Sequence, residues 1–490
     1  MAVNPQTPVL VGYGQINHHH TDPVEPVELM VAAARRAGAP ALLEAVDTVR
    51  VVNLLSAQYR DPGLLLAQRL GLDEVGTGYT GVGGNTPQTL LNRTCHDIQH
   101  GRAGVVLLAG GETWRTRTRL RAAGGRLSWT HQDATVAPAA RTDEDVPMAG
   151  PAEERIRLDR PAYVYPLFEQ ALRGAAGVGV EEHRGHLGAL WARFAAVAAE
   201  NPHAWIREPV AAEQIWRPGR DNRMISWPYT KLMNSNNMVD QAAALILTSV
   251  QTALRLQIPT ERWVFPYTGT EAHDTYAISE RAELHRSPAI RIGAARALRR
   301  AGLGVDDVDY LDLYSCFPSA VQVAAAEIGL AVDDPGRPLT VTGGLTFAGG
   351  PWNNYVMHAI ATMAERLVAH PGSCGLVTAN GGYLTKHSFG VYGTEPPSSP
   401  FTWEDVQPAV DAEPGCTAAV QWEGTGTVEA WTVPYDRDGN PAKAFVSVRT
   451  PDRRRTLAWI DDPAAAADTV DTDMTGAAVT VHADGTAALD

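Results

Sequence analysis

The 490-residue chain contains very little lysine and no long apolar run. Its only lysines are Lys231, Lys386 and Lys443, so a mechanism that forms a Schiff base on lysine has few candidates. No stretch is long and apolar enough to span a bilayer, and the N-terminus lacks the pattern of a signal peptide. There is also no basic stripe of the kind that nucleic-acid-binding proteins carry. These absences predict a cytoplasmic protein without a membrane or nucleic-acid partner.

Cysteine is also scarce. Cys95, Cys316, Cys374 and Cys416 show no CxxC spacing, which argues against a zinc site and against a dense disulfide framework. Histidines 18–20 are consecutive, and three consecutive histidines in a loop do not converge on one ion. We therefore predict no metal site.

Acidic residues are concentrated at the C-terminal end. Residues 401–490 contain 16 acidic and 6 basic residues, and so carry −10 of the formal net charge of −14. The same segment alternates apolar and polar residues, has Asp-Gly turn chemistry at 438–439, and follows the linker "PPSSP". We predict a separate antiparallel β domain over residues 402–490, a small OB-like barrel, with a partly disordered tail that includes "DDPAAAADTVDTDM".

The rest of the chain alternates predicted strands and helices. "TPVLVGYGQ" and "AGVVLLAGGE" are typical of buried strands, and glycine turns lead into helices after them. This α/β pattern occurs twice, over residues 1–260 and 261–398, and indicates largely parallel sheets covered by helices. A long excursion over about 113–226 interrupts the first copy.

Four motifs carry a resemblance to a known family: "LLAGGE", "SPAI…AL…AGL…DVDYLDLYSCF", "GGLTFAGGP" and the glycine pair after "GLVTAN". Their order and spacing resemble the thiolase superfamily, in particular the sterol-carrier-protein-type thiolases and thiolase-like proteins. The group with an additional C-terminal β domain, often named acetyl-CoA acetyltransferases, is the most similar. The resemblance implies a duplicated thiolase fold in five αβαβα layers. It also implies acyltransferase chemistry on an acyl-CoA thioester.

In the family, four loops converge on the reacting atoms, and the first holds a nucleophilic cysteine at a helix N-terminus. Here Gly84 stands at that position, followed by Asn85 and Thr86. The nearby Cys95 lies about three turns further along the helix, and we interpret it as a buried apolar residue. The resemblance therefore implies a site without a covalent acyl carrier.

The other three loops also depart from the family pattern. Tyr314 stands where relatives have histidine or asparagine, in a loop that also contains Cys316. Gly350 replaces the histidine of the third loop, and the fourth loop aligns with residues 378–380, where Cys374 lies too far upstream to serve. General acid–base and covalent catalysis need titratable groups at these positions. We therefore predict no ordinary thiolase turnover.

Several residues could still carry chemistry. Some thiolase-fold aldolases resemble this chain in using a tyrosine near Tyr314, which would act as a base while Asn353 or Asn380 holds the enolate oxygen. His387 is either a second acid or base or a solvent-facing strand residue. The remaining candidates to contact the ligand are an asparagine-rich turn and three arginines: Asn234, Asn236, Asn237, Arg115, Arg117 and Arg119.

Two hypotheses remain open. The first is non-covalent carbon–carbon chemistry on an acyl-CoA, with Tyr314, Asn380 and His387 as catalytic residues. Gly84, Asn85, Thr86, Cys316, Gly350 and Asn353 would contact the substrate. The second is a catalytically silent acyl-CoA or lipid binder, or a scaffold of lipid metabolism. Under both, CoA or acyl-CoA is the ligand, no cofactor is tightly bound, and the family implies a homodimer through the core.

Overall fold

The computed structural model describes residues 3–489, and two five-stranded sheets form its core. The first has the order β1-β7-β4-β2-β3, with β1 Pro8–Asn17, β2 Thr48–Val51, β3 Gly76–Tyr79, β4 Val106–Thr113 and β7 Asp240–Ser249. The second has the order β12-β8-β11-β10-β9, with β8 Phe265–His273, β9 Tyr310–Asp312, β10 Cys374–Gly381, β11 Lys386–Gly393 and β12 Thr402–Asp405.

The two sheets repeat one pairing scheme. In the first, β7 is antiparallel to both β1 and β4, and β4 is parallel to β2. In the second, β11 is antiparallel to both β8 and β10, and β10 is parallel to β9. The predicted duplication is confirmed. The prediction of largely parallel sheets is wrong, because the last strand of each half returns antiparallel between its first strand and its inner strands.

Helices form three further layers. Helices α1 (Pro26–Ala37) and α3 (Pro62–Leu70) pack on the first sheet, and α11 (Pro288–Ala301) packs on the second beside α12 (Pro318–Ile328). Helices α4 (Thr86–Gln99) and α14 (Tyr355–Ala369) contact strands of both sheets. Both middle helices bury residues around most of their circumference, as expected of helices enclosed on all sides. This is the predicted five-layered αβαβα arrangement.

The excursion is mainly helical. It contains α5 (Trp114–Ala122), α6 (Pro151–Ile156), α7 (Pro161–Ala176), α8 (Val180–Glu200) and α9 (Ala212–Trp216), and the short strands β5 (Met224–Trp227) and β6 (Tyr229–Thr230). Shorter helices elsewhere are α2 (Pro40–Glu44), α10 (Val250–Arg255), α13 (Gly344–Phe347) and α15 (Gln407–Val410), with 3₁₀ turns at Lys231–Met233, Thr260–Arg262, Ile278–Glu280, Val305–Asp307 and Trp352–Asn354.

A third sheet occupies the C-terminal part and has the order β15-β14-β13-β16-β17. Its strands are β13 (Gly424–Pro434), β14 (Ala444–Arg449), β15 (Arg455–Ile460), β16 (Ala478–Val481) and β17 (Ala487–Leu489). All its neighbouring strands are antiparallel, as predicted, and a single bridge between Trp459 and Thr486 joins the β15 and β17 ends. Strand β5 of the excursion pairs with β13, so the third sheet is continuous with the excursion.

Two sequence-based expectations about this region need correction. The tail predicted to be partly disordered contains helix α16 (Pro463–Asp468), which the Asp462 side chain caps, and it buries Ala466 and Met474. Residues 402–405, assigned by sequence to the C-terminal domain, form β12 and pair with β8 of the second core sheet. Within residues 3–489, no helix is both long and apolar enough to cross a membrane.

Candidate active site

The N-terminus of α4 faces the loop that follows β9. A Cβ atom at position 84 would overlap the Tyr314 hydroxyl oxygen, and would lie 2.8 Å from the Tyr314 Cζ and 2.5 Å from the Asn380 carbonyl oxygen. Real Cβ atoms do not approach other heavy atoms this closely. The space that a side chain at position 84 would need is therefore filled by the phenol of Tyr314.

Tyr314 is buried, and its ring packs edge-to-face against Tyr355 with ring centres 5.6 Å apart. Its backbone amide donates to Thr378 Oγ1 at 2.9 Å, whereas its hydroxyl has no hydrogen-bond partner among residues 3–489. Burial, and after it the nearby Cys316, raises the pKa of the phenol well above its usual value. The hydroxyl therefore stays protonated at neutral pH and is not available as a base.

Asn380 lies beside Tyr314 and is held by the excursion. Its Nδ2 donates to the Tyr165 hydroxyl at 2.9 Å and lies 3.9 Å from the Cys316 sulfur, while its Oδ1 is buried without a partner. Tyr165 lies on α7, where no family motif marks it. Its hydroxyl donates to the Gly382 carbonyl at 3.1 Å and accepts from the Leu384 amide at 2.9 Å. Sequence reasoning missed this residue.

His387 is 2% exposed, so its interpretation as a solvent-facing strand residue is wrong. The second sheet is covered on both faces, and strand alternation therefore does not place this ring in water. Its Nε2 lies 3.2 Å from the Leu384 carbonyl oxygen and 3.5 Å from Asp274 Oδ2. A histidine beside a buried carboxylate is an arrangement that supports proton transfer.

Asp274, the partner of His387, is itself enclosed by donors. It accepts from Ser287 Oγ at 2.5 Å and from the Ala289 amide at 3.1 Å, and Arg281 Nη2 lies 3.5 Å away. Burial alone would raise the pKa of Asp274, but the guanidinium of Arg281 and the hydrogen bonds from His387 and Ser287 lower it on balance. Asp274 is therefore a carboxylate at neutral pH.

The three predicted catalytic residues lie around one small space. A cavity of about 10 Å³ is lined by Tyr314, Asn380 and His387, together with Thr378 and apolar neighbours. A volume of this size holds about one water molecule. The structure thus brings Tyr314, Asn380 and His387 together, in a centre that is closed around its polar groups.

The predicted ligand-contacting residues lie around the same loops. The Gly83 amide donates to Asn353 Oδ1 at 3.0 Å, and the Gly350 amide donates to the Asn236 carbonyl at 2.9 Å. A Cβ at Gly350 would lie 3.0 Å from Asn237 Oδ1, so the asparagine-rich turn faces the third loop. Two further predicted residues are buried close by: Thr86, which donates to the Gly83 carbonyl at 2.8 Å, and Cys316.

Asn85 caps α4 without a side-chain hydrogen bond to the helix. Its Oδ1 is buried without a partner, at a position that a Cβ at Gly381 would overlap. Lys386 lies at the same point, where its Nζ donates to the Val82 carbonyl at 2.6 Å. The start of α4 is therefore in contact with the turn between β10 and β11.

Comparison with known proteins places this arrangement in a family. The chain is 32% identical to a crystal structure described as a monomeric SCP2-thiolase-like protein type 1 from Mycobacterium smegmatis, with a TM-score of 0.85 and coverage of 100% of both chains. The chain belongs to the type 1 SCP2-thiolase-like proteins. Residues 405–486 match the additional C-terminal domain of thiolase-like protein type 1, and residues 270–354 match the thiolase C-terminal domain-like family.

More distant structures share the fold alone. The structure described as the Ltp2-ChsH2(DUF35) aldolase is 19% identical with a TM-score of 0.58, and covers 79% of this chain and 98% of its own. Acat5 thiolase from Ascaris suum, in complex with coenzyme A, is 14% identical with a TM-score of 0.56, and covers 79% and 99%. A search of curated protein sequences found no match.

The other predicted residues of this thiolase-like protein have structural partners. Arg115 donates to the carbonyls of His19 and His20, and Arg117 donates to the Leu55 carbonyl, whereas Arg119 is exposed. His19 stacks on Trp205 with ring centres 4.1 Å apart. In residues 3–489, no group of three or more histidine, cysteine or acidic residues is arranged to hold a metal ion.

Neither Cys95 nor Cys316 is an activated thiol. Cys95 is 0% exposed, and burial raises the pKa of its thiol well above the usual value. Burial also raises the pKa of Cys316 to about 12. A nucleophilic cysteine needs a lowered pKa, which helix N-termini and nearby cations provide.

Proposed function

We propose that this protein binds an acyl-CoA thioester through its thiolase fold and performs no covalent thiolase catalysis. The observation that carries the proposal is the overlap between the Tyr314 hydroxyl and the side-chain position of Gly84. A thiolase nucleophile at position 84 and a tyrosine at 314 cannot occupy this space together. The high pKa values of Cys95 and Cys316 leave no alternative thiolate nearby.

Calorimetry against CoA, acetyl-CoA, long-chain acyl-CoAs and steroid acyl-CoAs tests the binding part. We expect micromolar affinity for at least one thioester and no thiolysis of it when free CoA is added. Absence of binding to all of them would overturn the proposal. It would leave a scaffold, whose partner would then be sought by pull-down.

A second candidate function is non-covalent acid–base chemistry on the bound acyl-CoA. It is favoured by the convergence of Tyr314, Asn380 and His387 on one water-sized cavity, with Asp274 3.5 Å behind His387. In retro-aldol cleavage of a β-hydroxyacyl-CoA, His387 would take the β-hydroxyl proton as the Cα–Cβ bond breaks. An aldehyde or ketone would leave, and Tyr314 would protonate the enolate at Cα to give the shortened acyl-CoA. The proton held by His387 would then pass across the cavity to the Tyr314 phenolate, which restores both groups. This assignment makes Tyr314 the acid, in place of the base expected from the sequence, because its pKa is raised.

Tyr314→Phe separates the two functions. Under the second candidate, turnover of β-hydroxyacyl-CoA falls by the factor of about 10²–10⁴ typical of a lost acid or base, while the dissociation constant for the acyl-CoA changes little. His387→Gln should give the same pattern. A wild-type protein that binds the thioester but shows no cleavage leaves only the binding function.

We also propose that the protein is a monomer rather than the homodimer implied by its resemblance to thiolases. The support is the Mycobacterium smegmatis relative, which is described as monomeric and is similar over the whole chain. Light scattering after size exclusion should give the mass of one 52.6 kDa chain. A mass twice as large would overturn this proposal and leave the acyl-CoA proposal intact.

A further inference from the structure

The additional C-terminal domain makes a dense contact with the loop over residues 278–282, which follows β8. At the centre of the contact is Arg455 of β15, whose side chain is 0% exposed. Its guanidinium donates to the carbonyls of Ile278 and Ser279 at 3.3 Å each, to that of Ala282 at 3.3 Å, and to that of Arg281.

The charge of Arg455 is balanced within its own domain. Its Nε and Nη2 form a fork on the Glu429 carboxylate, at 2.7 and 2.9 Å. Burial alone would raise the pKa of Glu429, but Arg455 and then Arg449 lower it on balance, so the pair is ionised. Because the guanidinium is planar, its bidentate contact with Glu429 leaves the other N–H groups of Arg455 directed at the backbone carbonyls of the loop.

A second arginine, Arg281, lies on the 278–282 loop and contacts residues of the candidate active site. Arg281, whose side chain is 3% exposed, donates to the Leu384 carbonyl and lies 3.5 Å from Asp274 Oδ2. Both of these acceptors also face His387 Nε2. The Arg281 side chain therefore contacts both polar neighbours of His387.

The turn that Arg281 holds needs such support. Leu384 has a φ of 54°, in the left-handed region that is unfavourable for a residue other than glycine. Its amide donates to Tyr165 and its carbonyl accepts from Arg281, so contacts from two other segments hold it in place. Loss of either contact removes part of what keeps this conformation.

We infer that Arg455 is a positioning residue for the turn between β10 and β11, which precedes His387 and is called the His387 turn below. The additional C-terminal domain is then a structural part of the candidate active site. Arg455 fixes the backbone of residues 278–282, and Arg281 on that loop sets the Leu384 carbonyl and Asp274 beside His387. The inference rests on the proposed role of the centre around His387, but it concerns local structure and can be tested without any acyl-CoA.

Arg455→Lys is the test variant, because it keeps the charge and loses the fork. The matched control is Arg173→Lys. Arg173 is also buried, between α7 of the excursion and the C-terminal domain, where it pairs with Asp473, and within residues 3–489 it makes no hydrogen bond to the 278–282 loop. Hydrogen exchange by mass spectrometry should follow the peptides over residues 378–390 and 276–284. The chemical shifts of the His387 ring should be followed by NMR.

We expect Arg455→Lys to speed exchange of the 378–390 peptide at least about tenfold, equivalent to about 1.4 kcal/mol, and to change the NMR chemical shifts of the His387 ring. Arg173→Lys should leave both unchanged even where it lowers Tm. Equal effects of the two variants, or a loosened 276–284 peptide with an unchanged His387 turn, would overturn the inference. If Arg455→Lys does not fold, Glu429→Gln weakens the same fork and takes its place.

Discussion

The two sides of the small central cavity are built in different ways. On one side, Gly84 and Tyr314 meet through packing alone, and the Tyr314 hydroxyl has no hydrogen-bond partner in residues 3–489. On the other side, His387, Asp274 and Arg281 form a buried polar network in which each group has several partners.

One wall is made by packing and the other by polar groups. The phenol of Tyr314 fills the space beside Gly84, whereas the opposite wall holds a histidine, a carboxylate and an arginine at considerable desolvation cost. Removing one member of such a network strongly lowers the stability of the protein. At a packed contact, the loss of stability depends on how much the substitution changes the side-chain volume. The two sides should therefore respond differently to substitution.

The largest expected effect is on the polar side. Asp274→Asn leaves Arg281 as a buried charge without its carboxylate and should cost about 3–5 kcal/mol in free energy of unfolding, measured with urea. Asp306→Asn is the control, because that carboxylate also pairs with an arginine but is 95% exposed, and it should change stability by less than about 1 kcal/mol. Similar losses for both would contradict the account of the buried network.

On the packed side, Gly84→Cys should destabilise the protein by about 1–3 kcal/mol, because the new side chain overlaps Tyr314. In a Tyr314→Ala background the same change should cost less, with a coupling energy of at least about 1 kcal/mol. Gly179→Cys provides a control, since a Cβ there meets nothing within 4 Å. Additive effects at positions 84 and 314 would show that the two sites do not share space.

A second buried histidine, His358, sharpens the comparison, because its one hydrogen-bond partner within residues 3–489 is a neutral amide. His358 Nδ1 lies 2.9 Å from Gln15 Oε1, its Nε2 is buried without a partner, and burial lowers its pKa to about 3. Below about pH 6.5, His358 becomes protonated in the unfolded chain but stays neutral in the folded protein. The free energy of unfolding therefore decreases as pH falls.

This group should contribute a loss of about 2 kcal/mol between pH 6.5 and pH 5. His358→Gln removes the titration, and its free energy of unfolding should therefore fall less over this range than that of the wild type. Denaturation curves at the two pH values measure the difference. Parallel losses in both proteins would mean that His358 is not the buried neutral group described above.

The smallest expected effect is that of Tyr314→Phe on stability. A hydroxyl without a partner adds little, so the change should stay within about 0.5 kcal/mol. Tyr355→Phe is the matched control, because that hydroxyl lies 2.9 Å from Asp312 Oδ1 and 2.6 Å from Thr342 Oγ1, and its loss should cost about 1–3 kcal/mol. Thermal unfolding compares the two, and equal shifts in Tm would imply an unseen partner of the Tyr314 hydroxyl.

Much of the fold follows from the sequence, because the glycine-rich motifs come in a specific order and the strand–helix pattern occurs twice. The acidic C-terminal segment with alternating apolar residues also predicts its antiparallel sheet. The residue types at the four loops, and the histidine after the last glycine turn, predict that Tyr314, Asn380 and His387 belong to one site. The structure places all three around one cavity.

The remaining features depend on contacts between residues far apart in the chain. Tyr165 comes from an excursion that lacks family motifs, and Asp274 follows β8 without a recognisable pattern, so neither could be assigned from sequence. The burial of His387 was missed because one strand does not reveal that both faces of its sheet are covered. The contact of Tyr314 with Gly84 joins positions 230 residues apart, and no local pattern predicts it.

The central claim is that this protein carries no acyl group covalently, either at the start of α4 or on Cys95 or Cys316. The most direct test is the intact mass of the protein after incubation with an acyl-CoA that calorimetry shows to bind. We predict an unchanged mass at saturating ligand, with no thiolysis product in the same sample. A gain equal to one acyl group, located by peptide mapping to Cys95 or Cys316, would contradict the account.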